Sequence, residues 1–150
     1  MPTAARLFAT IALVATSWMA SRIFVVDALP AGLDPTWFEP VNAGWALIVG
    51  WRVIGADADA GGGFGAALAN GVRGAVVLLL AVALTHAIWE MLRRSMALRY
   101  DGPVAAVTDA LVIALEYLAL LGKAPWAGVV LLIGALLAGM VAAAVGRVWR

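Results

Sequence analysis

The chain contains no cysteine and little charge. Only 13% of its 150 residues are Asp, Glu, Lys or Arg, and it has a single histidine. Without cysteine it forms no disulfide and no thiolate metal site, and it carries out no thiol redox chemistry of its own. The formal net charge is +1 and no basic stripe with interleaved aromatic residues occurs, which argues against a nucleic-acid partner.

Hydrophobic residues dominate what is present. They make up 65% of the chain, and the mean hydropathy is +1.00. Because a soluble domain of this size typically carries about 25% charged residues, we expect a lipid bilayer rather than water to surround most of the surface. Packing of small residues and hydrogen bonds between helices then hold such a protein together. The sequence predicts a single polytopic, all-α membrane domain over residues 1–150.

Apolar runs and the breaks between them predict five helices. Four of these runs approach the roughly 20 residues that a transmembrane helix needs. The second run is shorter, about 22 Å as a helix, and is interrupted by Arg52, so it is either a re-entrant segment or a fifth span. Its shortness favours four spans with the N-terminus inside over five spans with the N-terminus outside. The predicted helices cover residues 3–26, 41–55, 66–98, 104–121 and 126–149.

The stretch 75–99 combines an apolar run with most of the ionisable residues of interest, and the predicted membrane topology depends on it. An apolar run leads to His86 and Glu90, a basic cluster follows, and Asp101-Gly102-Pro103 breaks the chain before the next apolar run. This order is typical of a membrane hairpin. By the positive-inside rule the basic turn faces the cytoplasm, and so does the C-terminus with Arg147 and Arg150. The residues of the basic turn are Arg93, Arg94 and Arg99.

Four ionisable residues lie within predicted spans, where such residues are functional candidates. They are His86, Glu90, Asp109 and Glu116. His86 and Asp109 lie at similar distances from the turn, which predicts a contact between them with Glu90 nearer the surface. The alternatives are an ion pair of Glu90 with Arg93 and Arg94, an interhelical hydrogen bond for His86, and stabilisation of Asp109 by the helix N-terminus.

Glu116 has apolar neighbours, and we expect it to be protonated or paired with Arg52 or Arg73. The same two arginines are the candidate contacts for an anion. One histidine and two carboxylates on different helices are a loose metal-ligand pattern, so a metal site stays open. No HExxH, GxSxG or P-loop motif occurs. We therefore predict no catalytic residues, no cofactor and no enzymatic activity.

The last predicted helix carries two ridges of small residues at intervals of four. The pattern predicts faces that pack closely against other helices. The ridges are Ala135, Gly139, Ala143 and Ala138, Ala142, Gly146.

Several short motifs occur in a fixed order along nearly the whole chain. They are Met1-Pro2-Thr3-Ala4-Ala5-Arg6-Leu7, Trp37-Phe38 with Pro40-Val41-Asn42, Val49-Gly50-Trp51-Arg52-Val53-Ile54-Gly55, Asn70-Gly71, His86 with Glu90-Met91 and Arg93-Arg94-Ser95, and Tyr100-Asp101-Gly102-Pro103. On these motifs the chain resembles the TrgA family of small bacterial membrane proteins, which is named for an association with tellurite resistance.

The resemblance implies a phenotype and no mechanism. We therefore expect a non-enzymatic inner-membrane protein that supports tellurite resistance as an accessory or scaffold component, with a homo-oligomer or a membrane protein as partner. The alternative is a small oligomeric transporter, or a protein that handles protons or metal ions through the His/Asp/Glu cluster.

Overall fold

The computed structural model describes residues 3–29, 35–59 and 63–148, and the regular structure in these ranges is entirely helical. Within them α1, α4, α5 and α6 are long and apolar enough to cross a membrane, so the predicted fold class is confirmed. The helices are α1 (Ala4–Asp27), α2 (Phe38–Val49), α3 (Gly55–Asp59), α4 (Phe64–Met96), α5 (Pro103–Leu120) and α6 (Pro125–Val148), with a 3-10 turn at Pro35–Trp37 and a π-helical stretch at Gly50–Ile54.

The helix starts follow from local sequence. The side chain of Thr3 caps α1 by accepting a hydrogen bond from the backbone N–H of Arg6. Both α5 and α6 begin at a proline, Pro103 and Pro125. Proline suits the first turn of a helix because its missing N–H would have no partner there.

The predicted second helix is longer in the structure, because α2, the π-helical stretch and α3 continue one another from residue 38 to 59. This segment runs antiparallel to α1. Phe38 stacks on Phe24 at 5.4 Å near the C-terminal end of α1. At the other end a Cβ atom on Gly55 would lie only 2.6 Å from the Cα atom of Arg6. The segment therefore follows α1 along nearly its whole length and returns the chain to the end where α1 begins.

Helix α6 runs antiparallel to both α1 and α4. Its residue Gly139 lies against Ala67 near the start of α4, and Gly146 lies against Ala5 near the start of α1. Ala135, Ala138 and Ala142 in α6 are fully buried, which confirms the predicted packing ridges. The starts of α1 and α4 and the end of α6 thus share one end of the bundle, named here the termini end.

A second cluster marks the opposite end, named here the aromatic end. Phe24, Phe38, Ala124 and Ala127 pack together there. Three tryptophans at or near this end are 68–70% exposed, as expected for a bilayer interface. They are Trp37, Trp89 and Trp126.

Helix α5 packs along the C-terminal half of α4. Asp109 bonds Arg94, and Tyr117 lies beside His86. The last turn of α5 then reaches the aromatic end, where Leu120 packs on the second cluster. The 33 residues of α4 correspond to about 50 Å, whereas the hydrocarbon core is about 30 Å thick. The far part of α4 and α5 therefore form a hairpin that extends beyond the aromatic end.

This arrangement changes the predicted topology. The prediction placed both the basic turn and the C-terminus in the cytoplasm, which requires α4 and α6 to run in the same direction. They are antiparallel, so Arg93 and Arg94 lie at the aromatic end and Arg147 at the termini end. The two groups cannot share one side of a bilayer that both helices cross. The physical reason is that the second segment traverses the bundle, whereas α5 does not.

We predict opposite effects for two Gly→Ala changes in α6. A Cβ atom at Gly139 would lie 2.3 Å from the carbonyl oxygen of Ala67, whereas nothing lies within 4 Å of one at Gly128. Gly139→Ala should lower the free energy of unfolding by about 2 kcal/mol because the backbone of α4 must shift. Gly128→Ala should raise it by up to about 1 kcal/mol through helix propensity. Unfolding in mixed micelles with SDS measures both, and equal effects would contradict this packing.

Single cysteines test the topology, since the chain has none of its own. We expect Thr3→Cys and Val148→Cys to react with an impermeant thiol reagent from the same side of the membrane. Lys123→Cys at the aromatic end should react from the other side. Labelling of Thr3→Cys and Val148→Cys from opposite sides would contradict the antiparallel packing of α1 on α6.

Candidate functional site

Polar side chains collect near the aromatic end, where α1, α2, α4 and α5 meet. They form two separate groups rather than the single predicted cluster. One is a chain of neutral hydrogen bonds that ends on His86. The other is an ion-pair network that holds the α4–α5 hairpin.

The neutral chain begins on α1 and crosses α2. Asn42 Nδ2 donates to Ser21 Oγ at 2.9 Å, and Asn42 Oδ1 lies 2.9 Å from His86 Nε2. Ser17 Oγ donates to the backbone carbonyl of Asn42 at 3.3 Å. Because the amide nitrogen of Asn42 is committed to Ser21, its oxygen faces the imidazole, and His86 Nε2 is the donor. A neutral His86 then leaves Nδ1 as an acceptor.

An aromatic stack fixes the same imidazole. Phe24, Phe38 and His86 stack in succession, with ring centroids 5.4 Å and then 4.4 Å apart. Tyr117 of α5 lies 6.0 Å from His86 on a tilted ring. His86 is therefore held by stacking on one face and by Asn42 at its edge.

The ion-pair network is centred on Glu90, a residue only 6% exposed. Its Oε2 accepts from Arg93 Nε at 2.7 Å, and its Oε1 accepts from Arg93 Nη2 and Arg94 Nε, each at 2.9 Å. Arg94 Nη1 extends to Asp109 Oδ2 at 2.9 Å. Two carboxylates and two guanidinium groups thus balance one another across the hairpin.

Tyr100, in the turn between α4 and α5, completes the network by donating its hydroxyl to Asp109. Burial and this hydrogen bond raise the pKa of Tyr100 above its ordinary value. The phenol therefore keeps its proton at neutral pH and acts as a donor. The turn is closed by a side chain from outside the two helices.

The predicted contact between His86 and Asp109 is not formed. His86 bonds Asn42 on α2, while Asp109 bonds Arg94 and Tyr100. Two of the alternatives are found instead: the ion pair of Glu90 with both arginines, and an interhelical hydrogen bond for His86. The sequence suggests hydrogen bonding for Asn42, but it does not connect this residue with His86. The available signal was an amide within an apolar segment, where a buried polar group needs a partner.

The remaining predicted residues lie apart from this site. Glu116 is on the exposed face of α5, beside Tyr117 but pointing away from the bundle. Arg52 lies between Gly50 and Gly55, whose backbones approach the first two turns of α1. Glu116 and Arg52 are therefore at opposite ends and do not pair. Arg73 is exposed, also in the half of α4 nearer the termini end. In the described residues no group of three or more His, Asp and Glu is placed to hold a metal ion.

A cavity of about 620 Å³ opens beside His86 at the aromatic end. Its wall is mostly aromatic and aliphatic, with polar groups from α4 and α5. A much smaller cavity of about 70 Å³ is lined by residues of α1, α2, α4, α5 and α6, and it shares Phe38, His86 and Tyr117 with the larger one. The larger cavity is lined by Leu29, Trp37, Phe38, Val41, Thr85, His86, Trp89, Glu90, Arg93 and Tyr117.

Comparison of the chain with protein-family models, with curated proteins and with solved structures gives no match in any of the three.

Asn42 provides a direct test of the neutral chain. Asn42→Leu leaves Ser21 and the His86 ring edge without their partner, so we expect the free energy of unfolding to fall by about 2 kcal/mol. Asn70→Leu is the control, because the structure shows no hydrogen bond for that amide in α4 and the expected change is below about 0.5 kcal/mol. Equal losses in the two variants, measured in mixed micelles, would contradict the structural role of Asn42.

Proposed function

We propose that the chain is a non-enzymatic, multi-pass protein of the bacterial inner membrane that supports tolerance to tellurite as an accessory or scaffold component. The link to tellurite comes from the resemblance of the sequence motifs to the TrgA family. The observation that supports the scaffold function is the ion-pair network, in which Glu90 and Asp109 are both bonded by Arg94, with Arg93 and Tyr100 completing their bonds. Groups saturated in this way stabilise a hairpin and are poorly suited to accept protons or bind a metal ion.

The transporter alternative depended on one His/Asp/Glu cluster. The separation of His86 from Asp109 argues against it, because the imidazole bonds a neutral amide and no carboxylate. A proton path needs groups that change partner or charge, whereas each carboxylate of the network already has two bonded donor residues. We therefore place the scaffold function first.

A scaffold function requires surfaces for lipid or protein, and the hairpin offers one. The hairpin extends beyond the aromatic end of the bundle. The outward side of α5 in this hairpin is nevertheless apolar, and its side chains are exposed. Because this part of the hairpin lies beyond the end that carries the exposed tryptophans, we propose that a second copy of the chain or a membrane protein partner covers it. Its exposed residues are Val104, Val107, Leu111, Val112 and Leu115.

For the orientation we propose that the termini end faces the cytoplasm. The first turn of α1 and the last turn of α6 lie there, and they carry Arg6 and Arg147. The Lys and Arg residues of the described part divide four to five between the two ends, so the positive-inside rule alone does not decide. The cysteine labelling described above tests this orientation as well.

A rescue assay tests the proposed function. In a strain that lacks the gene and is tellurite-sensitive, the triple variant His86→Ala, Glu90→Gln, Asp109→Asn should restore tolerance to at least about half of the wild-type level at equal membrane abundance. The reason is that a scaffold needs the fold and not the protonation of these groups. The measurement is the inhibitory tellurite concentration, read beside membrane abundance by immunoblot.

Gly139→Leu serves as the matched control, because a larger side chain there cannot avoid the backbone of Ala67. It should fail to rescue when its membrane abundance falls. If the triple variant is as abundant as wild type but fails to rescue, the polar groups take part in the function and the scaffold proposal is wrong.

A further inference from the structure

We propose that the cavity of about 620 Å³ at the aromatic end binds the head group of a hydroxylated, planar ring with an apolar tail, the chemistry of a membrane quinol. Nothing in the scaffold function requires such a site, and the proposal stands independently of it. Three features support this ligand: the polar atoms in the cavity wall, the aromatic rings beside them, and the position of the cavity at the end of the bundle that carries the exposed tryptophans.

Two polar groups in the cavity wall have no partner within the described protein. His86 uses Nε2 to bond Asn42, which leaves Nδ1 as an acceptor. The structure shows no hydrogen bond for the hydroxyl of Tyr117. Yet among the described residues no buried side-chain nitrogen or oxygen lacks a partner, so both atoms must be accessible. Both residues line the cavity of about 620 Å³, and both also line the smaller cavity of about 70 Å³, so only the larger of the two spaces beside them has room for a ligand.

A single ligand hydroxyl satisfies both groups. It donates to His86 Nδ1 and accepts from the hydroxyl of Tyr117, whose ring is 6.0 Å from the imidazole. The neutral chain through Asn42 and Ser21 presets the tautomer that makes Nδ1 the acceptor. The cavity wall therefore carries an acceptor and a donor on neighbouring rings before any ligand arrives, which lowers the cost of binding.

The rest of the wall suits a flat ring. Trp37 and Trp89 line the cavity and are 68% and 70% exposed, so their faces are free to stack on a ligand. The faces of Phe38, by contrast, are used by Phe24 and His86. Aromatic rings stack with offset faces at centroid distances of about 4.5–7 Å. The volume lies within the range of about 300–1,000 Å³ typical of small-molecule sites.

The charges of the wall favour a neutral ligand. Glu90 is saturated by Arg93 and Arg94, so no free carboxylate is available for a cation. The guanidinium of Arg93 at the rim, with 60% of its side chain exposed, would also repel one. A plain acyl chain fits no better, since it leaves His86 and Tyr117 without partners. A neutral ring hydroxyl meets both conditions, and its tail can leave toward lipid between the exposed tryptophans.

The test uses the full chain in phospholipid nanodiscs and a short-tailed benzoquinol kept reduced under anaerobic conditions, with binding measured by equilibrium dialysis. We expect saturable binding at one site. Tyr117→Phe and His86→Phe each remove one hydrogen-bonding group and keep an aromatic ring, and each should weaken binding about tenfold, or about 1.4 kcal/mol. Trp126→Phe is the control, because this tryptophan is at the same end but does not line the cavity. It should change the affinity less than about twofold.

A change in the ligand provides a test that does not depend on folding of a variant. The dimethyl ether of the same quinol keeps the ring and tail but cannot donate a hydrogen bond, so it should bind wild type at least about tenfold more weakly. Non-saturable uptake, equal affinity for the ether, or an unchanged affinity in Tyr117→Phe would each overturn the proposal. Equal competition by a simple fatty alcohol would also overturn it, since the cavity would then be a lipid site.

Discussion

Close approach of helix backbones at small residues is the constraint on which the rest of the structure depends. Gly139 touches the carbonyl of Ala67, Gly71 touches the backbone at Ala135, and Gly50 touches the backbone at Thr10. Within a bilayer, helices gain little from burying apolar side chains against each other, because lipid is equally apolar. The attraction between helices then comes from dispersion and from weak Cα–H···O hydrogen bonds, and both need short distances between the backbones. These glycines therefore set which helices are neighbours and in which direction each runs.

The direction of the helices then determines where the polar residues meet. Because α6 is antiparallel to α1 and α4, the second segment has to carry the chain back through the bundle, and α5 stays outside it. Asn42 on that returning segment thereby reaches Ser21 on one side and His86 on the other. The polar chain is thus a consequence of the packing of small residues farther along the same helices.

Much of this architecture could be read from the sequence. Apolar runs predicted each long helix to within about two residues, and the spacing of Ala135, Gly139 and Gly146 predicted the packing faces of α6. The path of the second segment could not be predicted, because its length as a membrane helix depends on Phe38 and on α3, whose Ala-Asp sequence reads as a loop. The contact predicted between His86 and Asp109 was also wrong, because it relied only on their equal distances from the turn. Depth along two helices fixes neither the face a side chain occupies nor the competing partners on a third helix.

Two physical criteria separate the polar groups of the aromatic end. Burying a charged group is costly unless it is paired with an opposite charge. In the network two carboxylates, one on α4 and one on α5, are paired with two guanidinium groups of α4. These ion pairs hold α4 and α5 together, and they leave few hydrogen-bonding positions for a ligand. The neutral chain is built differently, because hydrogen bonds in series end on a ring nitrogen and do not close on themselves. The free ring nitrogen of His86 and the hydroxyl of Tyr117 line the same cavity. A ligand in that cavity could form hydrogen bonds with both.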